Sequence, residues 1–347
     1  DLNQIIGQQN AKKILEIAAA GRHNLLLVGP PGTGKTMLAN RIITILPKLD
    51  IEESLEVTSI HSIKGNMKIN KLIDTPVFQA PHHTATAPSI VGGGSVALKP
   101  GLVSLAHKGV LFLDEAPEFS PRVLQTLRGP LESKEVIIDR MRGSVSYPAD
   151  FQIILAANPC PCGMYIGRAE KCTCSSSKRS SYFSRLSGPL LDRIDLSATL
   201  VSGNHNKQNE HDDLNELNEC SQTIRERVTI ARYLQKTRLK NTPWIYNSEV
   251  PGSYLRKYIG MDNEILEIIN KYVNMEKLSL RGADRSIRTA FTISDLRNAK
   301  ILIAKYPSGV VDNATDLEIV EFANMVPTKE DLYYAISIKP NDISSYI

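Results

Sequence analysis

The sequence predicts an α/β fold, a parallel sheet flanked by helices and followed by a helical domain, and three observations point to it. The apolar run Asn24–Val28 leads through a glycine loop into Met37–Leu46, whose apolar residues recur at helical spacing until Pro47, so strand, loop and helix follow in order. Val110–Leu113 and Phe151–Ala157 have the continuous apolarity of strands buried on both faces. Beyond residue 220 strand patterns give way to helical ones.

At 347 residues the chain is long enough for about two domains. Its 42% hydrophobic and 22% charged content is that of a globular protein. No apolar run approaches the roughly 18 residues needed to span a bilayer, and residues 1–20 lack a basic segment followed by an apolar core. A cytoplasmic protein without membrane contact is therefore expected. The net charge of +4 is too small to point to nucleic acid by itself. Five cysteines in a reducing compartment argue for metal or reactivity before disulfides. The chain opens on Asp1 and not on a methionine, which suggests a domain upstream.

Residues 3–20 read as a helix after a turn at Ile5-Ile6-Gly7-Gln8, feeding the first strand. The loop Gly29-Pro30-Pro31-Gly32-Thr33-Gly34-Lys35-Thr36 has the pattern G-x-x-x-x-G-K-T. Such a loop turns backbone N–H groups around phosphates, with Lys35 reaching the β- and γ-phosphates and Thr36 offering a hydroxyl to Mg²⁺. ATP or GTP is the expected ligand. Residues 55–60 read as a short strand, 61–78 as loop and helix, and 80–94 as a functional loop or a disordered connection.

The strand over 110–113 ends in Asp114 and Glu115, at the carboxyl end where open α/β sheets bind ligands. Asp114 can hold the Mg²⁺ shell, and Glu115 can polarise a water attacking the γ-phosphate. Residues 121–134 read as an amphipathic helix, and 135–140 with 144–147 as a β-hairpin carrying Arg140 and Arg142 at its tip. Asn158 ends the next buried strand and can hydrogen-bond the same water. Arg193, in Leu190-Leu191-Asp192-Arg193-Ile194-Asp195, stands where a helix gives way to a further strand over 193–200. Its forked guanidinium can reach a neighbouring subunit's γ-phosphate, the bland alternative being an ion pair with Asp192 or Asp195. A polar stretch from 202 to about 219 reads as a linker, followed by helices over 221–240, 262–277 and 284–304 and two short ones over 311–325 and 328–338.

Cys160, Cys162, Cys172 and Cys174 form C-x-C-x₉-C-x-C. Four thiolates at this spacing can close a tetrahedral Zn²⁺ site; reduced free thiols and redox chemistry are the alternatives. Cys220 reads as a buried small residue. His82 and His83 could meet DNA phosphate or a metal, or simply pack their loop. Basic residues cluster as Arg168, Lys171, Lys178, Arg179 and Arg185, and again as Arg225, Arg227, Arg232, Lys236, Arg238 and Lys240. For the second group the default is a solvated helix face.

The loop Gly29–Thr36, the run Val110–Glu115, Ala156-Ala157-Asn158-Pro159 and Leu191-Asp192-Arg193 together resemble the AAA+ ATPases of the magnesium-chelatase-like branch. Ala80-Pro81-His82-His83, residues 101–109, Arg185–Arg193 and Thr223–Val228 resemble the ComM (YifB) family, hexameric helicases that promote branch migration during recombination in natural transformation. The resemblance covers about residues 1–300. It implies that Lys35 and Thr36 belong to Walker A, Asp114 and Glu115 to Walker B, Asn158 to sensor 1, and Arg193 to the arginine finger. Arg281, with Arg285 and Arg288 on the same helix, resembles sensor 2 on a lid helix facing the nucleotide. Residues 80–105 resemble the helix-2 insert and 135–147 the hairpin before sensor 1. Both elements face the pore in related rings, so Arg140 and Arg142 become candidates for DNA phosphates, unless they are solvated hairpin charges. The family also carries an N-terminal Lon-like domain outside residues 1–347, and residues beyond about 305 fit its pattern poorly.

The resulting expectation is an AAA+ α/β domain over 1–201, with the cysteine loop at 160–174, a linker over 202–220 and a helical lid over 221–347. Its cofactors would be ATP and Mg²⁺, with Zn²⁺ in the cysteine loop, and its partners single-stranded or branched DNA and further copies in a hexameric ring. A magnesium-chelatase-type motor subunit and a protein-remodelling chaperone are the alternatives.

Overall fold

The computed structural model describes residues 1–65, 71–93, 98–140, 143–165, 172–186, 188–201, 219–259 and 263–340. Helix α1 (Gln9–Gly21) runs into strand β1 (Leu25–Val28), and the glycine loop joins β1 to α2 (Lys35–Ile45). The short strand expected over 55–60 is instead part of α3 (Ile51–Lys64). Asp50 caps it by accepting from the Glu53 N–H while the Glu53 carboxylate accepts from the Asp50 N–H. The buried residues Ser54, Val57 and Ile60 recur every third position, a helical spacing that the β-branched composition conceals.

Next come β2 (Phe78–Gln79) and an insert of α4 (Ala87–Val91), β3 (Gly92–Gly93), β4 (Lys99–Pro100) and α5 (Leu102–Leu105). Strand β5 (Val110–Leu113) follows. The helix expected over 121–134 is broken into α6 (Pro121–Thr126) and α7 (Arg128–Ser133). The predicted hairpin is present as antiparallel β6 (Glu135–Arg140) and β7 (Gly143–Pro148). Strand β8 (Gln152–Ala157), helices α8 (Ser176–Ser184) and α9 (Gly188–Leu191), and strand β9 (Leu196–Thr199) complete the α/β part.

Among the described residues the main sheet has five strands in the order β2-β5-β8-β1-β9, every pairing parallel. Its strands are covered on both faces, as the pleat requires of alternate residues. Leu25, Leu27, Phe112, Ile154 and Ala156 turn toward α1 and α2, whereas Leu26, Leu113, Ile153, Leu155 and Ala157 turn toward α6 and α8.

The helical part comprises α10 (Ser221–Arg238), α11 (Gly252–Ile259), α12 (Asn263–Asn274), α13 (Leu280–Lys305), α14 (Val310–Asn313), α15 (Asp316–Ala323) and α16 (Lys329–Ser337). Leu255, Ile265, Ile269, Ile287, Phe291 and Leu332 form a core of their own. Helix α10, however, packs into the sheet's core through Ile224, Val228, Ala231 and Leu234. Its arginines are not the solvated face expected of them. Arg225 donates to the Thr44 carbonyl at the end of α2, and Arg232 to the Ala19 carbonyl at the end of α1. Each thereby satisfies a helix-end carbonyl that has no partner within its own helix. Arg227 pairs with Glu16 and Glu219.

Arg238 is held most firmly. Its two terminal nitrogens each lie 2.8 Å from an oxygen of Asp295 on α13, and they also donate to the Ala323 carbonyl and to Asn247. Asp295 is fully buried. Removing one partner of such a pair leaves an uncompensated buried charge. Asp295→Ala is therefore expected to lower the unfolding free energy by about 3–5 kcal/mol, read from urea denaturation; a loss within 1 kcal/mol or so would mean that the pair behaves like a surface one.

Candidate functional site

Parallel pairing brings the carboxyl ends of β1, β5 and β8 to one edge of the sheet, and the predicted phosphate-site residues converge there. Gly32 and Gly34 have φ of +78° and +89°, and a Cβ at either would meet nothing within 4 Å, so the loop is an open cradle of backbone. Gly29 serves a different need: a Cβ there would come within 2.8 Å of the Leu200 carbonyl at the end of β9. Lys35 is buried and curls back on the loop, its Nζ donating to the carbonyls of Gly29 (2.7 Å) and Pro30 (2.8 Å) and to Asn158 Oδ1 (3.0 Å). Burial lowers its pKa, with Asp114 and Glu115 acting against that shift. Thr36 Oγ1 donates to Asp114 Oδ2 at 2.5 Å.

This donor set fits a nucleoside triphosphate with Mg²⁺. The cradle is lined by backbone, the lysine has weak carbonyl partners that a phosphate can replace, and a hydroxyl and a carboxylate sit side by side as oxygen ligands. Glu115 adopts a left-handed backbone, φ +49°, which lets its N–H turn back to Asp114 Oδ1 at 3.0 Å. Thr36, Asn40, His82, His83, Asp114 and Glu115 line a cleft of about 310 Å³ beside the loop.

His83 was predicted only as a loop residue with several possible roles, and its place is specific: Nδ1 lies 3.7 Å from Glu115 Oε2. The ring of His82 stands 4.1 Å from that of His83. The doublet therefore faces the carboxylate that would polarise water. Sequence reasoning missed this because β2 ends at Gln79, and nothing in the local pattern tells that the strand lies next to β5.

The four paired cysteines come together as predicted. Cys160, Cys162, Cys172 and Cys174 place their sulfurs within 4.8 Å of one another, and Cys160 is fully buried.

Arg193 and Arg281 are elsewhere. Asp195 N and Leu196 N both donate to the Asn24 carbonyl, and the Asn24 amide donates to the Arg193 carbonyl, so Arg193 sits at the amino edge of the sheet. Its partner is Glu132, not Asp192 or Asp195. Arg281 pairs with Asp192 at 2.9 Å. Arg285 donates to the Ile194 carbonyl at 2.6 Å, and Arg288 to that of Val250 at 2.7 Å. The expectation that Arg281 faces this chain's own nucleotide loop is thus not met. The arginines line a cleft of about 560 Å³ at the amino edge, separated from the loop by the length of β1. Four strand residues span about 13 Å.

In the wall of this cleft Arg22 pairs with Asp150 at 2.8 Å, a contact between residues 128 apart that no local pattern signals. The DNA candidate Arg142 lies outside the described residues, as does the side chain of Arg140, and the tip of the 80–105 insert is likewise outside them. Among the described residues, no helix is long and apolar enough to cross a membrane.

Residues 1–209 match the family described as magnesium chelatase, subunit ChlI, and residues 218–305 match its C-terminal counterpart. The chain is 42% identical over 299 residues to protein YifB of Salmonella typhimurium, a match covering 86% of this chain and 57% of the relative. It is 42% identical over 299 residues to competence protein ComM of Haemophilus influenzae, covering 86% of this chain and 56% of that protein. Similarity to the magnesium-chelatase 38 kDa subunit of Rhodobacter capsulatus is 26% over 171 residues, covering 45% of this chain and 49% of the relative. The match thus spans a little over half the length of the ComM and YifB relatives.

The pair at the amino edge has a pH signature. Burial works against ionising Asp150, but Arg22, then Lys134 and Lys108, overcome it and hold the carboxyl well below the usual range. Below about pH 4 the unfolded chain takes up a proton there that the folded chain refuses, so stability falls as pH falls, by at most about 1.4 kcal/mol per unit from this one group. Asp150→Asn should be less stable at pH 7 and show a flatter decline between about pH 4 and 2, measured by urea midpoints across that window.

Proposed function

This chain belongs to the ComM/YifB family of magnesium-chelatase-like AAA+ proteins, and from that premise we propose that it is an ATP-hydrolysing ring motor that moves DNA, acting in branch migration during recombination of incoming DNA. The observation that carries the motor reading is the separation of its two halves. Lys35, Thr36, Asp114, Glu115 and Asn158 gather at one edge of the sheet, and Arg193 and Arg281 at the other. A guanidinium that far from its own loop can act only on a nucleotide held by another copy, as successive copies in a closed ring provide. The magnesium-chelatase-like module, with its nucleotide loop, supports ATPase activity; DNA as the load rests on the likeness to ComM.

On this reading ATP and Mg²⁺ are the cofactors, with Zn²⁺ a further one in the cysteine loop. The N–H groups around Gly32 and Gly34 hold the phosphates, and Lys35 leaves the Gly29 and Pro30 carbonyls for the γ-phosphate. Thr36 and Asp114 would hold the metal, which would supply neutralisation of charge on the phosphates. Glu115 polarises the water and Asn158 orients it. Arg193 of the preceding copy stabilises charge at the γ-phosphate, with Arg281 beside it. Arg140 and Arg142 on the hairpin would meet the DNA backbone.

A magnesium-chelatase-type role is the second reading, favoured by the Rhodobacter match. DNA separates the two. A DNA motor's ATP hydrolysis should rise with forked or four-way DNA, and that rise should shrink steeply with added salt; a rate indifferent to DNA would sink the DNA reading. Glu115→Gln should keep ATP binding and lose about 10²–10⁴-fold in hydrolysis. Lys35→Ala and Arg193→Ala should each be inactive, yet mixing them should restore hydrolysis, because an Arg193→Ala copy keeps an intact loop that a Lys35→Ala neighbour can complete. Absence of any recovery on mixing would overturn the reading in which Arg193 completes a neighbour's site.

A further inference from the structure

The cysteine loop begins two residues after Asn158 and returns across the nucleotide loop. Cys160 and Cys162 are 3.3 Å apart at sulfur, and each lies 3.7 Å from the sulfur of Cys172. A disulfide needs about 2.05 Å. Four thiolates around one Zn²⁺ at 2.3 Å stand about 3.8 Å from each other, close to the spacing found here. All four sulfurs lie within 4.8 Å of one another and Cys160 is fully buried, so the cluster is gathered for a single ion.

The same loop touches the nucleotide machinery. Gly163 has φ +76°, and a Cβ there would fall 2.5 Å from Pro31 Cδ, so the glycine backbone rests directly on the Pro31 ring of the phosphate loop. Arg179 of α8 ties the far end, donating to the Cys174 carbonyl at 2.7 Å and lying over the Tyr165 ring at 4.2 Å.

We propose that Cys160, Cys162, Cys172 and Cys174 bind Zn²⁺ as a tetrahedral thiolate centre, and that this centre clasps the nucleotide loop, setting Asn158 and Pro31 for ATP. The first clause stands on the cysteine geometry alone, and the second rests on the ATP reading above. The metal supplies no chemistry to hydrolysis. It replaces a hydrophobic core for a loop that has few apolar residues of its own.

The test uses residues 1–347 prepared without chelator or metal-affinity resin. Elemental analysis should find about one zinc per chain, Cys220→Ser should keep it, and Cys162→Ser/Cys172→Ser should lose it. Cobalt replacing the zinc should give the intense absorption of a tetrahedral thiolate site. Removing zinc from the wild-type chain with a chelator should weaken binding of a fluorescent ATP analogue about tenfold, and returning zinc should restore it, which separates clasping from failure of the variant to fold. Metal-free protein, iron in place of zinc, or zinc retained by the double variant would overturn the site. Zinc lost with unchanged ATP affinity would overturn the clasp, and a zinc-loaded chain that binds no ATP would overturn the nucleotide reading together with the clasp.

Discussion

Parallel pairing of β1 with β8 on one side and β9 on the other decides where every reactive group lies. In a parallel sheet the carboxyl ends share one edge and the amino ends the other. Gly29 follows β1, Asn158 follows β8 and Asp114 follows β5, so three loops far apart in sequence meet around Lys35. Arg193 precedes β9 and Asn24 precedes β1, and the same polarity therefore sends the arginine to the opposite edge. Nothing short of reversing a strand would bring the two sets together in one chain.

The helical region turns that sheet into a body with two working faces. Helix α10 is joined to the ends of α1 and α2 by Arg232 and Arg225, and to α13 by Arg238 and Asp295. Helix α13 continues from the sheet-side core at Ala299 and Leu302 to the separate helical core at Ile287 and Phe291. Over its first three turns it presents Arg281, Arg285 and Arg288 to the cleft beside Arg193. A displacement of α13 would shift these arginines together. On the proposed reading, that is how a change at one copy's nucleotide reaches the next without a separate messenger element.

What was legible in the sequence follows from how local each signal is. The loop Gly29–Thr36 could be read because its glycines, lysine and flanking periodicities all lie within some twenty residues. The β5 and β8 strands were readable from continuous apolar runs, and α16 from periodicity even where family likeness fades, whereas the single helix expected over 311–325 is divided into α14 and α15 at Ala314. Residues 55–60 were misread because Val57, Thr58 and Ile60 favour a strand in isolation, whereas the deciding cap is Asp50 with Glu53. The arginines of α10 were misread for a non-local reason. Their partners, Thr44, Ala19 and Asp295, lie up to 213 residues away, and charge spacing along one helix cannot reveal a carbonyl at the end of another. Arg281 was placed on the wrong side because the register of a lid helix depends on Asp192, which only tertiary packing brings near.

The same distinction between local and long-range signals explains why the cysteine loop sits where it does. Asn158 must stay within hydrogen-bonding distance of Lys35, yet beyond Pro159 the chain leaves the sheet and has little apolar material until Tyr182 and Phe183. A segment without a core holds position only through cross-links or backbone partners. The buried Cys160, the close seating of Gly163 on Pro31 and the Arg179 contacts supply three fixed points along it. Each fixed point lies between a catalytic-edge residue and the segment that leads to Arg193.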